Sequence, residues 1–320
     1  MTKSDVRTVG LVPHHERPRA HELAAHAAKW LADRGVAVRV PEPDAGPCGL
    51  EYLACPAPEF ADGLDVVLSL GGDGTMLRTV DMVYEAGVPV LGVNVGDLGY
   101  LTEVDPDEQA LEDALERLLA GDYTVDERMV LQVDAVTEGT ASGRWWALNE
   151  AVLERVQNGR LGRLAVHING TFFTTYAADG VIVATPTGST AYSFSARGPI
   201  VSPNHHSLLL TPVSPHMLFD RSLVLDSHEE IRFVVIDERN AVLMLDGRKL
   251  GLLQKGDAVT CTAAPKPARI VTFGQRNFHQ ILQSSELAKL RPTGGRPVAV
   301  PMLVSWAHES AAGKEFPAAA

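Results

Sequence analysis

The sequence predicts two structural classes in series, an α/β domain followed by a mostly antiparallel β domain. Over roughly the first third of the chain, β-rich runs alternate with helical stretches, which is typical of βαβ units and a parallel sheet. From about Tyr123 the apolar residues recur with a period of two, as in strands that bury one face. We therefore expect an α/β domain at residues 1–124 and a β-rich domain at 125–275. A segment at 276–294 is expected to pack back on the first domain, before a loose tail at 295–320.

The elements of the first domain are predicted in a regular order. Leu23, Ala27 and Leu31 recur every four residues on one helix face, and Gly35 ends that helix. The run at 65–70 is almost continuously apolar, as in a strand buried on both faces of a parallel sheet. In chain order, strands are expected at 7–12, 36–40, 65–70 and 88–93, with helices around 23–31, at 76–85 and at 106–120.

The second domain is predicted from short runs of alternating polarity with turns between them. Asn169-Gly170, Asp246-Gly247 and the segment Lys255–Asp257 are turn sequences of the kind found in hairpins. A helical pattern returns at 278–290. Strands are expected at 129–136, 145–153, 164–168, 232–236, 241–245 and 258–262.

Composition and charge limit the function classes. The 320 residues are 45% hydrophobic and 21% charged, as in soluble globular proteins. A net charge of -12 argues against broad nucleic-acid binding, but not against a small phosphate compound. Cys48, Cys55 and Cys261 show no CxxC spacing, which argues against a disulfide framework or structural zinc site. Since no apolar stretch approaches the ~20 residues that cross a bilayer, and no signal-peptide core opens the chain, we expect a cytoplasmic protein without membrane partners.

A glycine-rich turn, Gly71–Thr75, follows the predicted buried strand and precedes a helix. Its sequence is Gly-Gly-Asp-Gly-Thr. Glycines at such a place let backbone N–H groups approach a phosphate, and the helix N-terminus favours an anion. Asp73 would lie at the mouth of such a site, where a carboxylate can accept a proton. The alternative is a tight strand-to-helix turn that binds nothing. The segment matches neither the P-loop nor the Gly-x-Gly-x-x-Gly fingerprint, which narrows the field to kinases built on a different plan.

Several segments together resemble one kinase family. The turn Gly71–Thr75 resembles a signature shared by NAD kinases, diacylglycerol and sphingosine kinases and, with a serine, 6-phosphofructokinases. The resemblance to NAD kinases extends from about Val66 to Leu290. The segments that carry it are Asn94–Leu101, the Asn-Glu pair in Leu148–Glu150, the long signature Asp179–Tyr192 with Ser195 and Gly198-Pro199, and the Pro-x-x-x-His segment in Thr211–His216.

The resemblance implies a set of site residues. Asp73 would contact the adenosine ribose of NAD and act on its 2′-hydroxyl as base or as orienter, while Gly72 and Gly74 would line the phosphate passage. The other implied residues are Asn149 and Glu150 at the adenine and ribose end, Asp179 at the second ribose and nicotinamide side, Thr190, Ala191, Tyr192 and Ser195 around the nucleotide, and Thr75 and Asp246 as weaker candidates near the phosphates.

The fold, the co-substrates and the assembly are also implied by the resemblance. It implies a Rossmann-like α/β domain, a β-sandwich, and a C-terminal segment that returns to the first domain. It further implies phosphorylation of NAD to NADP by ATP or inorganic polyphosphate, with Mg²⁺ as the divalent metal, in a homodimer or homotetramer. Sequence does not choose between the two donors, nor between NAD and NADH, since Ala177-Ala178 leave room near the nicotinamide side.

Alternatives remain open for individual residues and for the function. By spacing alone, Asn149 and Glu150 could be solvated residues at a strand start, and Tyr192 a packing residue. Where the family commonly has Gly-Gly-Pro, this chain has Arg197-Gly198-Pro199. That arginine could lie beside the nucleotide or in solvent, with solvent the favoured alternative. The rival functions are a lipid or sugar-phosphate kinase and a dinucleotide sensor without catalysis.

Overall fold

The computed structural model of the chain describes residues 6–96, 99–137, 140–156, 162–217, 220–274, 278–280 and 282. The predicted helix at 278–290 and returning segment at 276–294 lie mostly outside the described residues, and the predicted tail at 295–320 lies wholly outside them.

An α/β pattern occupies the first part of the described chain, as predicted. Its elements are β1 (Thr8–Pro13), α1 (Pro18–Ala32), β2 (Ala37–Pro41), α2 (Glu42–Ala45), β3 (Ala54–Cys55), β4 (Val66–Gly71), α3 (Asp73–Val83), β5 (Val90–Asn94), α4 (Glu108–Ala120) and β6 (Thr124–Arg128).

Strands dominate the rest of the described chain. They are β7 (Leu131–Val136), β8 (Gly143–Ala147), β9 (Glu150–Arg155), β10 (Gly162–Ile168), β11 (Thr171–Ala178) and β12 (Gly180–Ala184), then, after the short helix α5 (Tyr192–Ser195), β13 (Ser207–Val213), β14 (Leu223–Asp226), β15 (Ile231–Val235), β16 (Ala241–Leu245), β17 (Arg248–Leu253), β18 (Ala258–Ala263) and β19 (Ala268–Thr272).

The first sheet has the order β3-β2-β1-β4-β5-β19-β6 and is parallel except where β6 pairs with β19. Helices α1 and α4 pack on one face and α3 on the other. From β1 the chain moves outward to β2 and β3, and then returns to β4 on the other side of β1. The topological switch point therefore lies between β1 and β4, and in such sheets ligands bind at the carboxyl ends of the strands near this point.

The second part of the chain forms two antiparallel sheets of six strands that share one core. Their orders are β11-β10-β15-β18-β7-β8 and β14-β13-β12-β9-β16-β17. Side chains from both sheets, among them Val133, Leu153 and Phe233, form a single hydrophobic cluster. The predicted fold class, an α/β domain with a parallel sheet followed by a β-sandwich, is confirmed.

Two sequence predictions, one about a strand and one about a helix, need correction. The predicted strand at 145–153 is two strands, β8 and β9, that belong to different sheets. The chain changes sheet at Leu148-Asn149, because the amides there bind a side chain instead of a strand partner. The helix predicted at 76–85 begins earlier, at Asp73, so this aspartate lies in the first turn of α3.

Sheet pairing crosses the predicted domain boundaries. Strands β6 and β19 were both assigned by sequence, wholly or almost wholly, to the β-rich domain at 125–275, yet both pair within the first sheet. The described chain thus returns to the first sheet at β19, ahead of the segment at 276–294. The boundaries themselves stay a prediction.

Candidate active site

The glycine turn lies at the carboxyl end of β4, beside the switch point. Every residue of β4 is buried, and α3 begins directly after it with Gly72 as its N-cap. A side chain at Gly71 would overlap the hydroxyl of Thr75, so only glycine fits there. Around Gly72, in contrast, nothing lies within 4 Å of the position that a Cβ would take. The turn is therefore closely packed on its inner side and open on its outer side, where a phosphate has room.

The carboxylate of Asp73 is held by two backbone amides. Tyr100 donates to Oδ2 and Leu101 to Oδ1, each at 3.0 Å. Burial raises the pKa of Asp73, and the two hydrogen bonds partly oppose that rise. Gly99 packs so close that an added Cβ would overlap Oδ1. Each carboxylate oxygen keeps a lone pair, so Asp73 has fixed geometry and can still accept a proton.

A cavity that opens to solvent, about 660 Å³ with that open space included, connects the loop that binds Asp73 with the second domain. Its lining includes Tyr100 and Leu101 on one side and Thr187 and Thr190 on the other. Thr187 is buried and its hydroxyl has no hydrogen-bond partner. Because buried polar groups are normally paired, that hydroxyl is a candidate contact for a bound ligand.

Three charged residues that sequence reasoning missed also line this cavity, namely Glu103, Asp126 and Arg128. Arg128 forms an ion pair of 2.6 Å with Asp126, and both are on the edge strand β6. Their positions follow from the pairing of β6 with β19, which sequence alone did not predict.

Asp246 holds the backbone of the Asn-Glu segment by hydrogen bonds. Its carboxylate accepts the amides of Leu148, Asn149 and Glu150 at 2.8, 2.9 and 2.9 Å. Burial raises its pKa to about 6, although the three hydrogen bonds lower it, and Asp81 raises it further. Asp246, which the resemblance implies as a weaker candidate near the phosphates, hydrogen-bonds the backbone of the Asn-Glu pair.

The long signature packs directly against the same segment. Thr185 donates its hydroxyl to the carbonyl of Leu148 at 2.6 Å, and its amide donates to the carbonyl of Asn149 at 2.8 Å. A side chain at Gly188 would overlap the backbone of Asn149. Glycine at this position therefore allows the two predicted binding segments to touch.

Glu150 is a buried carboxyl group with an unused oxygen. It is 6% exposed, and its Oε2 has no hydrogen-bond partner. Burial raises its pKa well above the ordinary value, the charge of Asp246 raises it further, and a bond from the Tyr192 amide acts in the opposite direction. An acid of this kind can serve as a donor or an acceptor to a ligand hydroxyl.

Asp179 and Tyr192 belong to a second cluster of polar groups. Asp179 forms an ion pair of 3.2 Å with Arg155, and the Tyr192 hydroxyl donates to Glu154 at 3.4 Å. Burial, followed by the charge of Glu154, raises the pKa of Tyr192 to about 12. Glu154 and Arg155, on β9, were missed by sequence reasoning.

The remaining predicted residues lie around these centres. Thr75 is buried in the first turn of α3 and Gly74 is half-buried there. Ala191 precedes α5 and Ser195 ends it, the latter exposed. Arg197 is exposed and has a φ of 67°.

The fold and the site together define a class of enzyme. An open glycine turn at the switch point, a fixed carboxylate and an interdomain cavity with an unpaired hydroxyl are the parts of a kinase that acts on a nucleotide. No helix of the described residues is long and apolar enough to span a membrane.

The chain belongs to the NAD kinase family, because the models of two of its domains match. They are the ATP-NAD kinase N-terminal domain at residues 54–123 and the ATP-NAD kinase C-terminal domain at residues 148–273. The chain is 41% identical over 280 residues to the NAD kinase of Heliobacterium modesticaldum, covering 86% of this chain and 97% of that protein. It is 38% identical over 296 residues to the NAD kinase of Moorella thermoacetica, covering 91% of each.

Two solved kinase structures share this fold. The fold is similar to that of yeast NADH kinase complexed with NADH, with a TM-score of 0.78 and 25% identity over 93% of this chain and 91% of that one. It also resembles the fold of an Archaeoglobus fulgidus NAD kinase in complex with ATP, with a TM-score of 0.66 and 24% identity over 87% of this chain and 97% of that one. The protein is accordingly a kinase that forms NADP from NAD.

Proposed function

We propose that Asp73 is the general base of NAD phosphorylation in this protein. The observation that carries the proposal is the fixed carboxylate, which is held by two amides at the cavity that also contains Thr187 and Thr190. A ribose hydroxyl is a poor nucleophile, so positioning and late proton removal govern its phosphorylation. A raised pKa makes Asp73 a stronger base than an ordinary aspartate.

The proposed reaction is an in-line displacement. The 2′-oxygen of the adenosine ribose forms a bond to the terminal phosphorus of the donor. The bond from that phosphorus to the bridging oxygen breaks, and the hydroxyl proton moves to Asp73. The products are NADP and a donor shortened by one phosphoryl group, which is ADP when the donor is ATP. The matching family models are those of ATP-NAD kinases, which supports ATP.

The dinucleotide is proposed to bind across the second domain. Asn149 and the unpaired oxygen of Glu150 would contact the adenine and ribose end, with Thr190–Tyr192 and Ser195 around the nucleotide. Asp179 would contact the second ribose at the nicotinamide side. The unpaired, buried polar atoms of Glu150 and Thr187 support this placement, since a ligand would satisfy both.

Mg²⁺ is proposed to arrive with the donor. Among the described residues, no group of three or more His, Cys, Asp or Glu side chains could hold a metal alone. The oxygen groups at the ends of β4 and β5 include the Asp73 carboxylate and the buried, unpaired Oδ1 of Asn94. They suit an ion that keeps waters and is bound mainly through phosphates. When bound, the ion would neutralise charge on the transferred group.

The compartment and the assembly stay predictions. We propose a cytoplasmic enzyme that forms a homodimer or homotetramer. The free thiols of Cys48, Cys55 and Cys261 are compatible with a reducing compartment.

The direct test is NADP formation by purified protein with NAD and Mg²⁺, with ATP and polyphosphate offered in separate reactions. NADP formed by the native protein and lost in Asp73→Asn is the expected result. A folded protein that binds NAD and forms no NADP with either donor would contradict the proposal and support a sensor. Repeating the assay with NADH defines the acceptor.

A further inference from the structure

We propose that Arg17 binds the phosphates of the phosphoryl donor, outside the cavity proposed for the acceptor. This inference rests on the proposed function and adds a donor-binding residue that lies outside the matched family segments. The ligand class is a phosphoanhydride chain, whether it belongs to a nucleoside triphosphate or to inorganic polyphosphate.

Arg17 lies at the switch point. It follows β1, whose pairing with β4 continues past the strand end through the bond from the His14 amide to the Leu70 carbonyl, at 2.8 Å. The glycine turn starts directly after Leu70. Arg17 and the open side of the turn thus emerge from the carboxyl ends of neighbouring strands.

One loop connects Arg17 with Asp73. The guanidinium donates to the carbonyl of Val95, just after β5, and lies over Gly96, where a side chain would overlap it. The amides of Tyr100 and Leu101, at the other end of this loop, bind the Asp73 carboxylate. Arg17 and Asp73 therefore hold the two ends of the same short loop.

The charge of Arg17 is not neutralised by a carboxylate of the described residues, and its side chain is exposed. Its neighbours differ in this respect: Arg19 pairs with Glu22 and Glu108, and Arg78 pairs with Asp44. A guanidinium has five N–H donors, and the bond to Val95 uses one. In a chain with a net charge of -12, an unneutralised arginine beside an open glycine turn favours an anion.

The lining of the cavity indicates which anion this is. The interdomain cavity is lined by residues of β6 and β19, whereas Arg17, the residue before α1, is not among its described lining residues. If the dinucleotide occupies the cavity, an anion bound by Arg17 belongs to the other substrate, the phosphoryl donor. In-line transfer places the attacking and leaving oxygens on opposite sides of the phosphorus, so the two substrates need separate binding sites.

The test compares Arg17→Ala and Arg17→Lys with Arg19→Ala, a matched control whose guanidinium is already paired. Kinetics are measured by varying the donor at saturating NAD and NAD at saturating donor, with ATP and polyphosphate in separate arms. Arg17→Ala should raise the donor KM roughly ten- to a hundredfold, because a hydrogen-bonded charge is lost. Arg17→Lys should recover part of the loss, and Arg19→Ala should behave as the native protein. The NAD KM should stay unchanged throughout.

Binding of inorganic tripolyphosphate, followed by the shift in melting temperature, tests the inference without turnover. The native protein and Arg19→Ala should be stabilised, and Arg17→Ala should lose that stabilisation. A fall in kcat with an unchanged donor KM and intact tripolyphosphate binding would overturn the inference, and would leave Arg17 as a residue that only holds the loop. Absence of NADP formation in the native protein would instead refute the proposed function, while tripolyphosphate binding would still decide the role of Arg17.

Discussion

Asp73 and Asp246 are held by the same device, consecutive backbone amides that donate to a carboxylate, yet their surroundings differ. Asp73 binds two amides of a loop after β5 and lies beside an open turn. Asp246 binds three amides, those of Leu148–Glu150, in the turn between β16 and β17. With two bonds, the first carboxylate keeps acceptor capacity toward a substrate. The Asp246 carboxylate uses its acceptor capacity for backbone amides and so fixes the segment that carries Asn149 and Glu150.

The comparison shows that a hydrogen-bonded aspartate is not by itself a catalytic residue. Asp73 and Asp246 differ in whether a carboxylate lone pair is open to a substrate, and in which segment of the chain supplies the bound amides. We therefore expect removal of Asp73 to affect turnover and removal of Asp246 to affect substrate affinity.

The largest expected effect is that of Asp73→Asn. The amide keeps the size of the side chain but cannot take up the hydroxyl proton, so kcat should fall roughly 10²- to 10⁴-fold. The NAD KM should change little. Steady-state NADP formation measures both, and a melting curve verifies the fold. Turnover near that of the native protein would rule out Asp73 as the base.

A smaller effect is expected for Asp246→Asn. The new NH₂ group cannot accept from the amides, so the Asn-Glu segment loosens and the NAD KM should rise about tenfold, with kcat largely kept. The same assays separate this result from that of Asp73→Asn. Equal losses of kcat in the two variants would contradict separate roles for Asp73 in turnover and Asp246 in NAD binding.

Acidification should weaken NAD binding through Asp246. Its folded-state pKa is about 6, so below that pH it gains a proton, becomes a poorer acceptor, and the NAD KM should rise. The value exceeds the ordinary 3.8. The folded state therefore holds this proton more tightly than the unfolded chain does. The resulting contribution to the free energy of unfolding is complete below pH 3.8 and is lost as the pH rises through about 6. Acid should thus raise KM without unfolding the protein through this group.

The measurement for this pH effect is the NAD KM from about pH 8 to about pH 5, with a melting temperature at each point. In Asp246→Asn the rise in KM near the pKa should be absent. Persistence of the same rise in that variant would assign it to another group.

The smallest expected effect concerns a second backbone position in the left-handed region. Asp246 has a φ of 45° and Arg197 a φ of 67°, but Arg197 is exposed and lacks the three amide bonds of Asp246. Arg197→Gly should raise the free energy of unfolding by up to about 1 kcal/mol, because glycine adopts this conformation without strain. Denaturant unfolding measures the change, with Arg221→Gly as an exposed control. A rise in the NAD KM in Arg197→Gly would instead place this side chain beside the nucleotide.

Sequence predicted the parts of the site that depend on local pattern. The apolar run of β4 and the glycines after it locate Asp73, and the resemblance to the family locates Asn149 and Glu150. Sequence did not predict the partners of these residues. The amides of Tyr100 and Leu101 carry no side-chain signal, and Asp246 lies almost a hundred residues from its amides. The break between β8 and β9 was missed for the same reason, since a distant carboxylate causes it.

The pairing of β6 with β19 has a consequence for how the molecule is assembled. The chain leaves the first sheet at Arg128 and re-enters it at Ala268, and these two residues are direct partners across the strands. The β-sandwich is therefore an insertion between β6 and β19, two antiparallel strands that pair at the edge of the first sheet. Its departure and arrival points are adjacent, so a short turn could close that hairpin in place of the whole insert with little loop-closure entropy.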